Sequence, residues 1–550
     1  MVRAAVANGL WCVSCLRSHR AYRRALHDPQ GEQAAILRRY LRENAATEFG
    51  RAHGFAGIGD AREYARRVPA RDYDELSPWI ERVRLGNPNV LTAAPVRRLV
   101  PTSGSTAARK LIPYTGAMQA ELNRAVGPWI VGMYRHHPSA LLGPAYWSVS
   151  PAAEAMPEDD GASAVPIGFD DDAEYLGGWA RRLVDAAMAV PGAVRLITNF
   201  NAWRYVTLLL LLRCPGLRLI SVWHPSFFGL LLGALAGEWE RLLRDVAEGG
   251  CAVMGELPAG LRGAVMHRPM RSRAAELSRV YSGAAGEAQA LWPSLSVVSA
   301  WGDGQASSPA AALAATFPRA TFQAKGLLAT EGVVSIPFAG KHPLALRSHF
   351  LEFEDDEGTI ALAADLRHGA TYRVNITTGG GLYRCRLHDF VVVDGFVGAT
   401  PSIRFVGKAA LLSDRFGEKL SEGFVVAALM WAFDARPLPA FCMLAPDAGV
   451  RNGSEWRYTL YVDGDVPDEL PTRLEEALMR NPHYAYCRRL GQLLPPRAFR
   501  ITGEAFAAYS RRLESLGRRL GDIKPAALSP LDGWSRVFDG EHVPSGVSGG

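Results

Sequence analysis

A chain of 550 residues is too long for one small core; the usual size of domains allows two to four, and two unequal ones are expected here. With 48% apolar and 21% charged residues the composition is globular and excludes a disordered or fibrous chain. The 61 basic and 55 acidic residues leave a formal charge of +6, small and mixed along the sequence, which does not mark a nucleic-acid binder.

The N-terminal stretch has few charges at first, but Trp11, Ser14 and Arg17 interrupt its apolar run well short of a signal peptide or anchor. Cys12 and Cys15 form a lone CxxC on a helix-like segment, with no second pair at zinc spacing. Seven scattered cysteines give no disulfide framework, and a reducing cytoplasm is the reading. Between Gln30 and Arg51, the apolar residues Ala35, Ile36, Leu37, Tyr40 and Leu41 recur at helical spacing and predict a helix packed on a core. The stretch VPARDYDELSPWIERVRLGNPNVL mixes helix, proline and turn signals. Arg97 to Val100 predicts a short strand that runs into the polar loop PTSGSTAARK and out through a second strand, LIPYT.

From about Ala117 to Pro318, helical patterns alternate with short apolar runs such as VRLIT and LRLISVW, as in a parallel sheet with crossover helices. The run RYVTLLLLLR falls short of the roughly twenty apolar residues that span a bilayer, and predicts a buried helix. Beyond Leu344 the segments HFLEFEDD, TYRVNITT, GLYRCRL, DFVVVDGF and SIRFVGK predict closely spaced strands of an antiparallel or mixed sheet. From Gly417 a helix (EKLSEGFVVAALMWAF), a strand (RYTLYVDG) and another helix (RLEEALMR) predict a compact α+β domain. The hinge is expected between Arg404 and Asp414, and the residues 541–550 as a disordered tail.

Three short runs suggest chemistry. In Thr102-Ser103-Gly104-Ser105-Thr106, small residues let the backbone bend around an anion, hydroxyl and amide groups donate to it, and Arg109 and Lys110 add charge. The run is not the GxxxxGK[ST] loop, and an ordinary Ser/Thr/Gly turn is the alternative. In KGLLATEGVVSIP, Thr330 and Glu331 stand between two apolar strands, where a magnesium ion bridging phosphates would partner the carboxylate, or else the glutamate is a solvated strand end. In TTGGGLYRCRLHDFVVVDGF, Asp389 lies between two apolar strands and is suited to accept from ribose hydroxyls, or else simply caps a turn.

Together with the segments DYDELSPWIERVRLG, SVWHPSFF and WGDG, these runs resemble the auxin-responsive acyl acid amido synthetases of the Gretchen Hagen family, within the superfamily of firefly luciferase, acyl-CoA synthetases and nonribosomal adenylation domains. The resemblance covers most of the chain, from about Gln33 to Pro525. It implies an α/β fold: a large N-terminal adenylate-forming domain (1–408) with mixed sheets and flanking helices, and a smaller, mobile α+β C-terminal domain (409–540). Ser103, Gly104, Ser105 and Thr106 would form the phosphate loop, Thr330 and Glu331 would lie beside the α-phosphate and magnesium, and Tyr383 and Asp389 would bind the nucleotide. Lys419 and Lys524 match two lysines of the mobile domain that act, with Glu331, in catalysis. Trp223, His224 and Phe227 are candidates for lining the acid pocket. The chain departs from the family pattern at His388, where glycine is usual, and at Cys385, which replaces an aromatic residue between Arg384 and Arg386. Histidine lacks glycine's freedom at positive φ, so an altered loop is expected there.

The implied activity uses ATP and Mg²⁺ to adenylate a carboxylic acid and transfers the acyl group to an amine, such as an amino acid, releasing AMP and pyrophosphate. A thiol acceptor, or a homologue that binds a nucleotide or acid without turnover, remains open. The expected partners are the small-molecule acid and amine, with no nucleic acid, no membrane and a monomeric state.

Overall fold

The computed structural model describes residues 1–102, 110–149, 163–168, 178–282, 287–355, 357–408, 412–413, 415–434, 438–448, 456–516, 518 and 523–543. The chain divides between Phe405 and Val406 into two compact units, and the second also takes in two short excursions of the earlier chain, 224–226 and 302–313.

In the first unit a long helix, Val2–Ala25, is followed by Pro29–Asn44. The latter starts where it does because the Asp28 carboxylate accepts the Gly31 N–H at 2.9 Å and Pro29 presets φ in the first turn. Its face Ile36, Leu37, Tyr40 and Leu41 is buried in a core shared with Phe49, Phe55, Tyr64 and Phe350. Strands β1 (Val96–Pro101) and β2 (Leu111–Thr115) pair antiparallel, and Thr115 caps the helix Gly116–His136 by accepting from Met118 N–H at 3.2 Å. Strands β3 (Ala145–Trp147), β4 (Leu219–Ser221), β5 (Val297–Trp301) and β6 (Thr321–Lys325) form a parallel sheet in that order. The VRLIT run is not one of its strands: it falls in a short 3-10 turn, Gly192–Leu196, capped at Pro191. The leucine run forms the buried helix Phe200–Leu212, and among the described residues no helix is long and apolar enough to cross a membrane.

A two-residue turn joins β7 (Leu328–Ala329) to β8 (Gly332–Val333). Strands β9 (Phe350–Glu354), β10 (Ile360–Leu362), β11 (Thr371–Thr377), β12 (Cys385–Val397) and β13 (Thr400–Lys408) then make one sheet in the order β10-β9-β11-β12-β13. The segments GLYRCRL and DFVVVDGF, read as separate strands, are not separate: the last three residues of the first and all of the second lie in the single strand β12. Arg373 pairs with Phe390 but Asn375 with Arg386, so two steps along β11 answer four along β12. The excess is a bulge at the residues between Arg386 and Phe390.

In the second unit the strands Cys442–Ala448, Trp456–Asp463, Arg497–Ile501 and Gly540–His542 form a mixed sheet, with the middle pair parallel and the outer pairs antiparallel. The helices Glu422–Ala432 and Leu470–Leu478 bury Val425, Leu429, Leu474 and Leu478 against Leu460 and Val462. Glu541 and His542, expected in a disordered tail, instead pair with Arg500 and Phe499. The last seven residues lie outside the described ones.

Candidate active site

Ser103, Gly104, Ser105, Thr106 and Arg109 lie outside the described residues. The two ends of their loop are held together: Thr102 N–H donates to Lys110 O at 2.9 Å. Tyr73 fixes the second end, its hydroxyl accepting from Leu111 N–H at 2.7 Å, and the Lys110 ammonium lies 5.5 Å from the centre of the Tyr73 ring. Lys110 is thereby aimed by an aromatic face as well as by the hairpin.

Thr330 and Glu331 are the turn between β7 and β8, and both are partly exposed. The turn rests on a buried layer. A side chain at Gly332 would meet His349 Nε2 at 2.7 Å, so glycine lets the hairpin lie directly on that imidazole. His349 Nδ1 lies 3.1 Å from the Glu121 carboxylate, which also accepts the Gly379 N–H at 3.0 Å and pairs with Arg39 at 3.3 Å. Thr115 Oγ1 donates to Gly379 O at 2.8 Å. One buried carboxylate thus supports both the Thr330–Glu331 turn and the glycine turn that leads to β12.

The ring of Tyr383 stacks on Phe49 at 4.7 Å and meets Phe55 edge-on, and its hydroxyl donates to Leu91 O at 2.7 Å. With a fully buried side chain the ring packs as part of the core. Next to it, Arg384 holds a left-handed φ of 49°. Its guanidinium pairs with buried Glu352 at 2.8 Å and donates to Ala65 O and Val68 O at 2.9 and 2.7 Å, which over-determines the strained backbone.

The next three residues of interest are Cys385, just before the bulge, and His388 and Asp389 within it. Burial pushes the Cys385 thiol up to about 12, and the negative charge of Glu331 adds to the effect. His388 takes φ 59° itself, so the position keeps the conformation that glycine would favour, with a histidine in it. The conformation is paid for by contacts: His388 Nε2 lies 3.2 Å from Asp72 Oδ1, and Arg386 lies 3.7 Å from the same oxygen. Burial lowers the His388 pKa, and the Asp72 charge opposes that shift. Asp389 is buried inside β12, at 1% exposure, rather than in a connection between strands. Lys110, Glu331, Asp72 and Arg386 all act on the Cys385 thiol, while Lys110 and Asp389 act on His388. Three cations, Lys110, Arg373 and Arg386, and several carboxylates, from four parts of the sequence, therefore share one neighbourhood, where the cations suit phosphate oxygens and a carboxylate suits a metal ion.

Lys419 and Lys524 belong to the second unit. Glu418 is fully buried, and its carboxylate accepts from Arg415 N–H, Phe416 N–H and the Tyr458 hydroxyl. That anchor holds the turn which leaves Lys419 exposed, at φ 46°. Lys524 is exposed beside buried Ile523; its carbonyl accepts from Tyr509, and its charge helps depress the pKa of His224, whose main cause is burial. Phe227 packs in the core against Trp203. Trp223 is partly exposed, and the buried Lys325 ammonium lies 4.5 Å from its ring.

Sequence reasoning passed over Asp72, Tyr73, Glu121, His349 and Lys325. Glu121 had a signal: with Met118 and Ala125 it falls on the buried stripe of its helix, where a charge demands partners. Asp72 begins the helix Tyr73–Arg84 in the quoted DYDEL run.

This fold is that of solved acyl acid amido synthetases. The structure titled AtGH3.15 acyl acid amido synthetase in complex with 2,4-DB matches with a TM-score of 0.81 over 94% of each chain, at 17% identity. The GH3 family N-terminal domain matches residues 19–321 and the GH3 family central domain residues 343–408, and the chain belongs to the GH3 family. Among curated proteins, a probable indole-3-acetic acid-amido synthetase, GH3.12 of Oryza sativa subsp. japonica, is 27% identical over 472 residues, 73% of this chain and 72% of that one. A GH3 domain-containing protein of Homo sapiens is 27% identical over 326 residues, 55% of this chain and 58% of that one.

Proposed function

We propose that the chain is an ATP-dependent acyl acid amido synthetase, which activates a carboxylic acid as its acyl-adenylate and passes the acyl group to an amine, with an amino acid as the acceptor class. A carboxylate resists attack by an amine because oxide is a poor leaving group; as an adenylate its leaving group is AMP. The observation that carries the reading is the shared neighbourhood of Lys110, Glu331, Arg386 and His388–Asp389, in a chain of the GH3 family.

Lys110 and Arg386 bring positive charge to the phosphates, with the loop 103–106 as their cradle. Asp389 takes the ribose hydroxyls. Among the described residues no group of three or more His, Cys, Asp or Glu forms a metal cage. The Glu331 carboxylate, on a partly exposed turn, fits Mg²⁺, which is held by one or two carboxylates with phosphates and water. Such an ion would supply charge neutralisation at the adenylyl group being transferred and at the pyrophosphate that leaves. Thr330 adds a hydroxyl beside it. Lys419 and Lys524 serve one half-reaction each as the smaller domain moves.

Acid-dependent exchange of labelled pyrophosphate into ATP tests the reading across a panel of carboxylic acids. Exchange with at least one acid, followed by amide products when amines and thiols are offered together, is the expected result. Thioester products would replace the acceptor; nucleotide binding with no exchange by any acid would reduce the chain to a binding protein.

A further inference from the structure

The first helix, Val2–Ala25, packs on the unit through Ala4, Ala7, Asn8, Trp11, His19, Tyr22 and Ala25. Its opposite face is unusual. Val2, Val6, Leu10 and Val13 follow one another at steps of four, four and three residues, and are 79%, 57%, 54% and 63% exposed. The same line continues through Arg17, Arg20 and Arg24, all exposed. With 3.6 residues per turn these seven positions lie along one side of the helix, apolar over its first half and basic over its second. The first half is thus apolar on both sides, the pattern of a helix that something covers on each. On the packed side, Asn8 fixes the helix to the unit by donating to the carbonyls of Leu141 and Gly143, at 3.3 and 3.0 Å.

The charge on the segment selects the occupant. Residues Met1 to His27 include Arg3, Arg17, Arg20, Arg23 and Arg24 and not one aspartate or glutamate. A second copy of the same helix brings only more arginine, with no carboxylate on the segment to pair with it. The row is short and aliphatic, without the Trp or Tyr anchors that dominate protein interfaces, and a row of Val and Leu suits hydrocarbon. Spanning is not at issue, because a helix can lie in the interface with one face buried at the acyl boundary and its arginines among headgroups.

We infer that this face docks the protein on an anionic lipid surface, with Val2, Val6, Leu10 and Val13 entering the acyl boundary and Arg17, Arg20 and Arg24 meeting lipid phosphates. The inference departs from the sequence expectation of no membrane partner, which concerned export and spanning. It is independent of the proposed reaction: the residues belong to no part of the candidate site.

Flotation of the full chain with vesicles tests it. Vesicles of phosphatidylcholine with about a third phosphatidylglycerol should bind the protein roughly tenfold or more better than phosphatidylcholine alone, and the binding should weaken with added salt. The double variant Val6→Asp/Leu10→Asp and the triple variant Arg17→Ala/Arg20→Ala/Arg24→Ala should each lose most of the binding while keeping the parent melting temperature. The substituted side chains are exposed, so folding is not at stake. Equal recovery with both vesicle types, or variants that bind as the parent does, would overturn the inference. Light scattering that finds a dimer dissociated by Val6→Asp/Leu10→Asp, with no vesicle binding, would give the face to a second copy instead.

Discussion

Glu121 and His349, 228 positions apart in the chain, meet at 3.1 Å with both side chains fully buried. The imidazole lies under Gly332, next to Glu331, and the carboxylate receives Gly379 N–H, so the pair joins the metal candidate's turn to the glycine turn before β12. Removing one partner of a buried pair leaves the other uncompensated. Glu121→Ala, which takes the acceptor from the buried Gly379 N–H and the carboxylate from beside Arg39, Arg124 and His349, should cost about 1–3 kcal/mol, read as a lower urea midpoint. A loss under about 1 kcal/mol would mean that the network contributes little.

Tyr383 offers a clean contrast between core and site. Tyr383→Phe keeps the stacking on Phe49 and abandons only the bond to Leu91 O. A destabilisation of about 1–2 kcal/mol is expected, with the KM for ATP unchanged. A raised KM at unchanged stability would return the ring to the nucleotide.

Glu331→Gln should do the reverse. The side chain is partly exposed on a turn, so the melting temperature should hold within a degree or two, whereas pyrophosphate exchange should fall by roughly 10²-fold or more and need more magnesium. Exchange at the parent rate and magnesium requirement would remove Glu331 from the site.

His224 makes stability depend on pH. Unfolded, its imidazole takes a proton below 6.5; folded, burial first and the Lys524 charge second hold it neutral down to about 3. Between those values the unfolded chain binds the extra proton, so stability is lost as the pH falls through that window, at up to about 1.4 kcal/mol per pH unit. His224→Gln should flatten the urea stability profile between pH 6.5 and pH 4 by up to one proton's slope. Parallel profiles would show that the group does not titrate as its burial requires.

At His388 the backbone sits at φ 59°, a region glycine enters without a Cβ penalty. His388→Gly should therefore fold with stability within about 1 kcal/mol of the parent, the relief of strain offsetting the lost Asp72 contact. His388→Val, β-branched in a left-handed position, should be clearly less stable than either. Equal melting temperatures for the two variants would mean that the bulge relaxes when the side chain changes.

Local pattern made much of the fold legible. Helical spacing marked Pro29–Asn44 and Glu422–Ala432, and polar punctuation marked the hairpin of β1 and β2. It failed where long-range pairing overrides local preference. VRLIT has strand composition but pairs with no strand among the described residues, and the end of GLYRCRL runs on with DFVVVDGF as one strand because β11 pairs with both sides of the bulge.

By itself the sequence determined the α/β character, the runs that carry Glu331 and Asp389, and an acid-free basic N-terminal segment, since composition and local spacing are written residue by residue. Only the tertiary structure decided that Tyr383 is core, that Asp389 lies inside a strand, and that Glu121 and His349 support two turns at once. Tyr383 and Leu91, like Glu121 and His349, are hundreds of positions apart, so no local window contains both members, and even the nearer pairing of β11 with β12 depends on where the chain folds back.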